Sequence, residues 1–136
     1  MAFLLDTNVV FELRKSVPDP RVVAWQAANS RAVAYLSAMV VGEIRRGVER
    51  LRPRDPKQAE ILERWLTGLT SSYRDRLLPV TAEVAEEWGR LSATGQPPPV
   101  IDGLMAATAR VHGLTLVTRN VIDVARTGVP LINPFD

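Results

Sequence analysis

The chain has 136 residues and a formal net charge of +2, from 17 Lys and Arg residues against 15 Asp and Glu residues. This length predicts one domain, residues 1–136, with a sizeable buried core. The absence of cysteine excludes disulfides and thiolate metal sites. No apolar stretch approaches the roughly 20 residues of a membrane span, and the N-terminus lacks a secretion signal, so we expect a cytoplasmic protein.

Predicted strands and helices alternate along the chain. A strand in AFLLD precedes helices in TNVVFELRK and RVVAWQAANS, a strand in AVAYLS, and helices in AMVVGEIRRGVERLR and KQAEILERWLTGLTSSY. The strand RLLPV, the helix TAEVAEEWGRLSATG, the break QPPP, the helix IDGLMAATARVHG, the strand LTLVT, the loop or short helix RNVIDVAR and the strand VPLINP follow. This pattern predicts an α/β fold: a central, mainly parallel sheet of about five strands, with helices on both faces.

The first acidic residue of interest stands directly after the first strand. The apolar run FLL reads as a buried strand, and Asp6 follows it at once. Burial of a carboxylate is costly unless a hydrogen-bond donor or a cation receives it. Since ligands of open parallel sheets bind beyond the carboxyl ends of the strands, we expect Asp6 to face a crevice there.

Three more acidic residues are candidates for the same site. Glu43 shares a helix face with Val40 and Ile44, and with Gly47, through three- and four-residue spacings, which indicates an inward position; an exposed edge position is the alternative. Asp102 opens a helix after three prolines, where a simple helix cap is the alternative role. Asp123 follows the strand end LVTRN, where turn formation is the alternative.

The predicted topology allows these four carboxylates to converge. Clustered carboxylates repel one another and shift toward protonation unless a cation is bound. A hard divalent ion, Mg²⁺ or Mn²⁺, relieves this repulsion through oxygen ligands, and we expect such an ion to receive Asp6.

Four segments resemble the successive motifs of a known family: LLDTNVV, LSAMVVGEIRRGV, IDGLMAATARVHGLTLVTRNVIDV and INPFD. They are similar to those of the PIN-domain ribonucleases and, more narrowly, of the VapC-type toxins of type II toxin–antitoxin pairs, which include FitB-like proteins. The resemblance extends from residue 3 to about residue 135. It implies a PIN-like domain, a Mg²⁺ or Mn²⁺ cofactor, and metal-dependent hydrolysis of phosphodiester bonds in RNA.

The resemblance also implies roles for individual residues. The catalytic acids of the family match Asp6, Glu43, Asp102 and Asp123. We assign Asp6, Asp102 and Asp123 chiefly to metal binding, and Glu43 to positioning of the attacking water or completion of the metal shell. Positions that support the site match Asn8 and Thr118, whereas the family's aromatic residue after the fourth acid is replaced by Val124.

A cognate VapB-like antitoxin and a homodimer are the partners that the resemblance implies. The chain would then act as a toxin that inhibits translation and growth until the antitoxin neutralises it. A catalytically silent PIN module, acting in partner assembly or DNA-bound regulation, is the alternative; retention of all four acids favours the enzyme. The only histidine, His112, precedes a glycine at a predicted helix end, so we expect it to be structural rather than catalytic.

The cationic side chains around the Glu43 helix have two interpretations. Arg46 and Arg50 belong to a cluster of arginines there, and arginine suits contacts with phosphate groups. The alternative is a solvated face whose positive charge favours the C-terminal end of the helix. The three tryptophans, Trp25, Trp65 and Trp88, have spacings typical of a core, although some are candidates to line an apolar groove for the antitoxin.

Overall fold

A five-stranded parallel sheet forms the centre of the molecule, whose computed structural model describes residues 1–136. The strands are β1 (Ala2–Leu5), β2 (Val33–Ser37), β3 (Leu77–Leu78), β4 (Thr115–Val117) and β5 (Leu131–Ile132). Their order is β3-β2-β1-β4-β5, and all neighbours are parallel. The predicted α/β fold is thus confirmed. The two edge strands, β3 and β5, have two residues each and are shorter than the segments RLLPV and VPLINP suggested.

Seven helices connect the strands. They are α1 (Thr7–Arg14), α2 (Pro20–Ala28), α3 (Ala38–Leu51), α4 (Pro56–Ser72), α5 (Ala82–Ser92), α6 (Val100–His112) and α7 (Val121–Val124). Thr81 caps α5 by accepting a hydrogen bond from the N–H of Val84. The HG dipeptide ends α6 at Gly113, whose φ of 66° is the left-handed conformation that glycine adopts without strain. None of these helices has the length and hydrophobicity needed to traverse a membrane.

The apolar core lies on both faces of the central strands. Phe3, Leu4 and Leu5 are each at most 4% exposed, so successive residues of β1 are buried on opposite faces. Helix α3 contributes Val40 and Ile44, which are fully buried. Apolar burial of this kind stabilises the fold by about 25 cal/mol per Å² and fixes the ends of the strands relative to the helices.

The tryptophans differ in their surroundings. Trp25 packs edge-on against Phe3, with ring centroids 5.2 Å apart, and borders an apolar groove of about 420 Å³. Trp65 packs against Phe11 at 5.4 Å, and the ring of Trp88 lies over Gly103, where a Cβ atom would come within 3.1 Å of it. All three thus make the packing contacts that their spacing predicts, and Trp25 also lines a groove.

The strand order reverses beside β1, and this arrangement positions the candidate site. Helices α1 and α2 lead from β1 to β2 on one side, whereas β4 pairs with β1 on the other side. The N–H of Asp6 donates to the carbonyl of Val117 at 2.9 Å, so the ladder continues one residue past β1. Asp6 and Thr118 therefore leave the sheet side by side at the switch in strand order, where open α/β folds bind ligands.

A matched pair of isoleucine substitutions tests the position of the core. Ile44→Ala removes a fully buried side chain and is expected to lower the free energy of unfolding by about 3 kcal/mol, because it leaves a cavity between α3 and the sheet. Ile122→Ala, at a side chain that is 88% exposed, should change it by less than about 0.5 kcal/mol. Equal effects in urea denaturation would contradict this packing.

Candidate active site

Asp6 is a buried carboxylate that accepts hydrogen bonds from donors of the protein. It is 5% exposed, and its Oδ1 accepts the N–H of Thr7 at 2.7 Å. Its Oδ2 accepts the hydroxyl of Thr118 at 2.6 Å and the amide of Asn8 at 3.3 Å. These neutral donors hold Asp6 in place without cancelling its charge, and the binding of a cation to this carboxylate stays a prediction.

Thr118 and Asn8, the predicted supporting residues, bind each other as well as Asp6. The Thr118 hydroxyl is buried and accepts the N–H of Asn120 at 2.9 Å and the Asn8 amide at 3.5 Å, while it donates to Asp6. The Asn8 carbonyl oxygen accepts the N–H of Arg119 at 3.2 Å. The segment after β4 is therefore connected to the start of α1 through these two side chains.

Glu43 lies at the rim of the same edge of the sheet. Its Oε1 accepts the hydroxyl of Thr7 at 2.5 Å, and its side chain is 23% exposed. Val40 and Ile44 on the predicted face are fully buried, whereas Gly47 is exposed, so the inward face is narrower than its spacing suggested. Thr7, the residue directly after Asp6, is thus joined to α3 by this hydrogen bond.

Asp102 is the residue whose protonation is most perturbed. It is the third residue of α6, which begins after Pro99, and no side chain caps this helix, so Asp102 does not have the simple capping role. The pKa of its carboxyl is raised from the ordinary 3.8 to about 6, chiefly by burial and then by the charges of Asp6, Asp123 and Glu43, in that order. A polar contact from the Asn120 side chain opposes the rise in this pKa. The structure thus brings the other three predicted acids within electrostatic reach of Asp102.

Asp123 occupies the outermost position of the four. It lies in the first turn of α7 and is exposed, so the segment after LVTRN forms a short helix around it. Val124, at the position where the family carries an aromatic residue, is 1% exposed and packs into the core. The smaller side chain is therefore accommodated while the carboxylate faces solvent.

The arginines near Glu43 fall into two groups. One group is neutralised by ion pairs of 2.6–3.0 Å: Arg45 and Arg52 with Glu49 and Glu63. Arg46 approaches Glu43 only to 3.9 Å, and Arg50 forms no ion pair within 4.0 Å. Arg46 and Arg50 therefore remain available to an external anion, with Arg46 directly beside the site.

Two contributors were not identified from the sequence: Thr7, which binds Glu43, and Asn120, which contacts Asp102 and Thr118. The sequence did contain a signal for both, because Thr7 lies between Asp6 and Asn8 in the DTN segment and Asn120 ends the TRN segment that begins at Thr118. The structure contains no group of three or more acidic or histidine side chains arranged to hold a metal ion. The four carboxylates nevertheless suit a hard divalent cation, because all their ligand atoms are oxygen. Burial and the neighbouring negative charges raise the pKa of Asp102, and a cation would offset both effects.

The fold and this acidic edge define a class of protein. The PIN domain profile matches residues 3–127, and the chain belongs to the PIN domain family. It is 33% identical to VapC ribonuclease Y4jK of Sinorhizobium fredii, over 98% of this chain and 97% of that protein. It is also 34% identical to Toxin FitB of Neisseria gonorrhoeae, over 97% of each chain.

Solved structures agree with these relationships. The chain superposes on the FitAcB crystal structure from Neisseria gonorrhoeae with a TM-score of 0.86 and 33% identity, over 98% of each chain. For FitAB bound to an IR36 DNA fragment the TM-score is 0.85 at 31% identity, over 98% of this chain and 96% of the other. The architecture is therefore shared with toxin–antitoxin complexes along nearly its entire length.

The raised pKa of Asp102 predicts a specific pH dependence for the metal-free protein. Its folded pKa of about 6 lies above the ordinary 3.8, so the folded state binds the proton more tightly and stability falls as pH rises from about 4 to about 6. Asp102→Asn removes this penalty, so in EDTA the variant should exceed the wild type at pH 7.5 by about 1 kcal/mol after allowance for solvent screening.

Urea denaturation at several pH values measures this effect. The advantage of the variant should shrink as pH falls through 6 toward 4, because the wild-type carboxyl becomes protonated. A variant that is less stable by the same amount at every pH would contradict the proposed environment of Asp102.

Proposed function

We propose that the protein is the toxin of a VapBC-type toxin–antitoxin pair and a metal-dependent endoribonuclease. It hydrolyses phosphodiester bonds in RNA, and thereby inhibits translation and growth until its antitoxin binds. The observation that carries this proposal is the position of four carboxylates at the switch in strand order, where Asp6, Asp123 and Glu43 lie close enough to Asp102 to raise its pKa, together with its burial. Relatives named as a VapC ribonuclease and as Toxin FitB, matched over almost the whole chain, support it.

The cofactor we propose is Mg²⁺ or Mn²⁺, held chiefly by Asp6, Asp102 and Asp123. Such a cation, when bound, supplies positive charge to a phosphate oxygen and makes a water molecule more acidic. Carboxylate oxygens are the ligands that these hard ions prefer. Thr118 orients the Oδ2 of Asp6 for this task, and Asp102 must lose the proton that its raised pKa favours.

Glu43 is proposed to position the attacking water. Its Oε1 is occupied by the Thr7 hydroxyl, which leaves Oε2 on the side of Arg46 to accept a hydrogen bond or a proton from that water. Because Thr7 follows Asp6 directly, the two carboxylates are held at fixed positions relative to each other.

A metal-free mechanism based on histidine does not suit this arrangement. His112 is the last residue of α6, whereas Asp102 lies in the first turn of the same helix. The ten positions between them correspond to about 15 Å along the helix axis. The histidine is therefore remote from the acidic edge and is proposed to have only a structural role.

The proposed partner is a cognate VapB-like antitoxin. The solved structures of FitAcB and of FitAB on DNA are complexes, and the chain resembles them over at least 98% of its length. A protein with this activity needs an inhibitor in the cell that makes it. We therefore propose that the two proteins are made together and that the complex is the resting state.

Replacement of Asp6 tests the proposed chemistry. Asp6→Asn keeps the size of the side chain but removes its charge, so RNA cleavage in Mg²⁺ or Mn²⁺ should fall by about 100-fold or more. Cleavage is measured by sequencing RNA ends after incubation with purified protein. Asp75→Asn, at an exposed carboxylate in the turn before β3, is the matched control and should cleave like the wild type. Full activity of Asp6→Asn, or of the wild type in EDTA, would refute the proposal.

The two groups of arginines allow a second test. Arg46→Ala with Arg50→Ala removes one cation that is 3.9 Å from its nearest carboxylate and one that forms no ion pair, so RNA binding should weaken and the slope of log affinity against log salt should fall by about 1 to 2. Arg45→Ala with Arg52→Ala removes two arginines that are already paired with glutamates and should leave the slope near its original value. An unchanged slope in the first double variant would favour a solvated surface without a role in RNA binding.

A further inference from the structure

Arg119 is an arginine that lies over an aromatic ring at the edge of the candidate site. It directly follows Thr118, and its Cζ lies 3.8 Å from the centroid of the Phe135 ring. Phe135 is 4% exposed, and its N–H donates to the Asn133 side chain at 3.0 Å, so the ring is a fixed support. The C-terminal INPFD segment therefore supplies an aromatic face against which the guanidinium of Arg119 lies.

The hydrogen-bond donors of this guanidinium are not used within the chain. Arg119 is exposed and forms no ion pair within 4.0 Å and no side-chain hydrogen bond. Asp19 is close enough for Arg119 to contribute to the lowering of its pKa, but Arg21 contributes most. Arg21 binds both oxygens of Asp19, at 3.1 and 2.8 Å, and thus already serves as its counter-ion. The five N–H groups of Arg119 remain open to an external acceptor.

The backbone of Arg119 is tied to the carboxylate site. Its N–H donates to Asn8 at 3.2 Å, and the preceding Thr118 hydroxyl donates to Asp6 at 2.6 Å. An RNA strand must bring its phosphates to this edge, where four carboxylates repel them. A cation that is already oriented offsets this repulsion at a small cost in side-chain entropy, and arginine matches the two oxygens of a phosphate.

We propose that Arg119, supported by Phe135, binds a phosphate group of the RNA strand beside the cleaved bond. This inference rests on the proposed ribonuclease function and adds to it a specific substrate contact. Arg119 is thus a binding residue that places the strand across the acidic edge. The Phe135 ring acts through Arg119 by fixing its orientation, which makes Phe135 a positioning residue.

The chain contains a second stacked arginine that serves as a matched control. Arg14 lies 5.7 Å from the Phe11 ring and 5.6 Å from the Trp65 ring, and it also forms no ion pair within 4.0 Å. It ends α1, whereas Asp6 immediately precedes that helix, which separates the two by about 12 Å along the axis. Arg14 and Arg119 are alike in charge and stacking and differ in their distance from the carboxylates.

The test compares Arg119→Gln, Arg119→Lys, Phe135→Leu and Arg14→Gln. Glutamine keeps a planar group over Phe135 without the charge, and leucine keeps the apolar burial without the aromatic face. Binding of a fluorescein-labelled RNA stem-loop is measured by fluorescence anisotropy at several salt concentrations, with Asp6→Asn present in every protein to prevent cleavage. In proteins that retain Asp6, KM and kcat are measured with bulk transfer RNA, and thermal unfolding checks each fold.

Arg119→Gln should weaken RNA binding and raise KM by about tenfold with kcat within about twofold, and should lower the salt slope by about one. Arg119→Lys and Phe135→Leu should each weaken RNA binding by about threefold, because both variants keep the positive charge at position 119 but not its orientation. Arg14→Gln should bind RNA like the wild type. Phe135→Leu with unchanged KM would remove the positioning role of the ring.

Unchanged RNA binding by Arg119→Gln, or an equal loss of RNA binding by Arg14→Gln, would overturn the inference. The proposed function would still stand in either case if the wild type cleaves RNA. Normal RNA binding by Arg119→Gln together with loss of binding to the cognate antitoxin would assign this surface to the antitoxin instead. A wild-type protein that neither binds nor cleaves RNA would refute the proposed function itself.

Discussion

The pairing of β1 with β4 is the constraint on which the rest of the molecule depends. Their register sets Leu5 opposite Val117, so the next residue on each strand, Asp6 and Thr118, leaves the sheet at the same level. The hydrogen bond of 2.6 Å between these two side chains joins positions 112 residues apart in the chain. A slip of one residue in this register would turn one of the two side chains to the opposite face and separate them. The geometry of the acidic edge is thus set by backbone pairing.

The carboxylates at this edge differ in how the protein supports their charge. Asp6 has three hydrogen-bond donors from the protein, so its burial alone does not require a metal ion. Asp102 has burial and three like charges acting against its ionised form, and only the Asn120 side chain opposes them. A divalent ion would therefore relieve more unfavourable electrostatic energy at Asp102 than at Asp6. Asp6 would then hold the ion in position, and Asp102 would supply most of the gain in free energy when the ion binds.

The sequence was sufficient to predict the alternation of strands and helices and the edge of the sheet at which the acids meet. Both follow from local periodicity and from a general rule of parallel sheets. It was not sufficient to predict the donors around Asp6 or the stacking of Arg119 on Phe135, because these contacts join segments that only the folded chain brings together. The lengths of the edge strands were also overestimated. An edge strand is paired on one side only, so its extent depends on a single neighbour and not on its own hydrophobicity.

The brevity of those outer strands has a consequence for how the molecule associates. With Leu77–Leu78 on one flank and Leu131–Ile132 on the other, an approaching β-segment meets too few free amide and carbonyl groups to extend the sheet. Edge-to-edge stacking into fibrils is thereby discouraged, even though the interior strands are strongly apolar. Recognition through side chains of the helical exterior would depend on residue identity rather than on main-chain pairing.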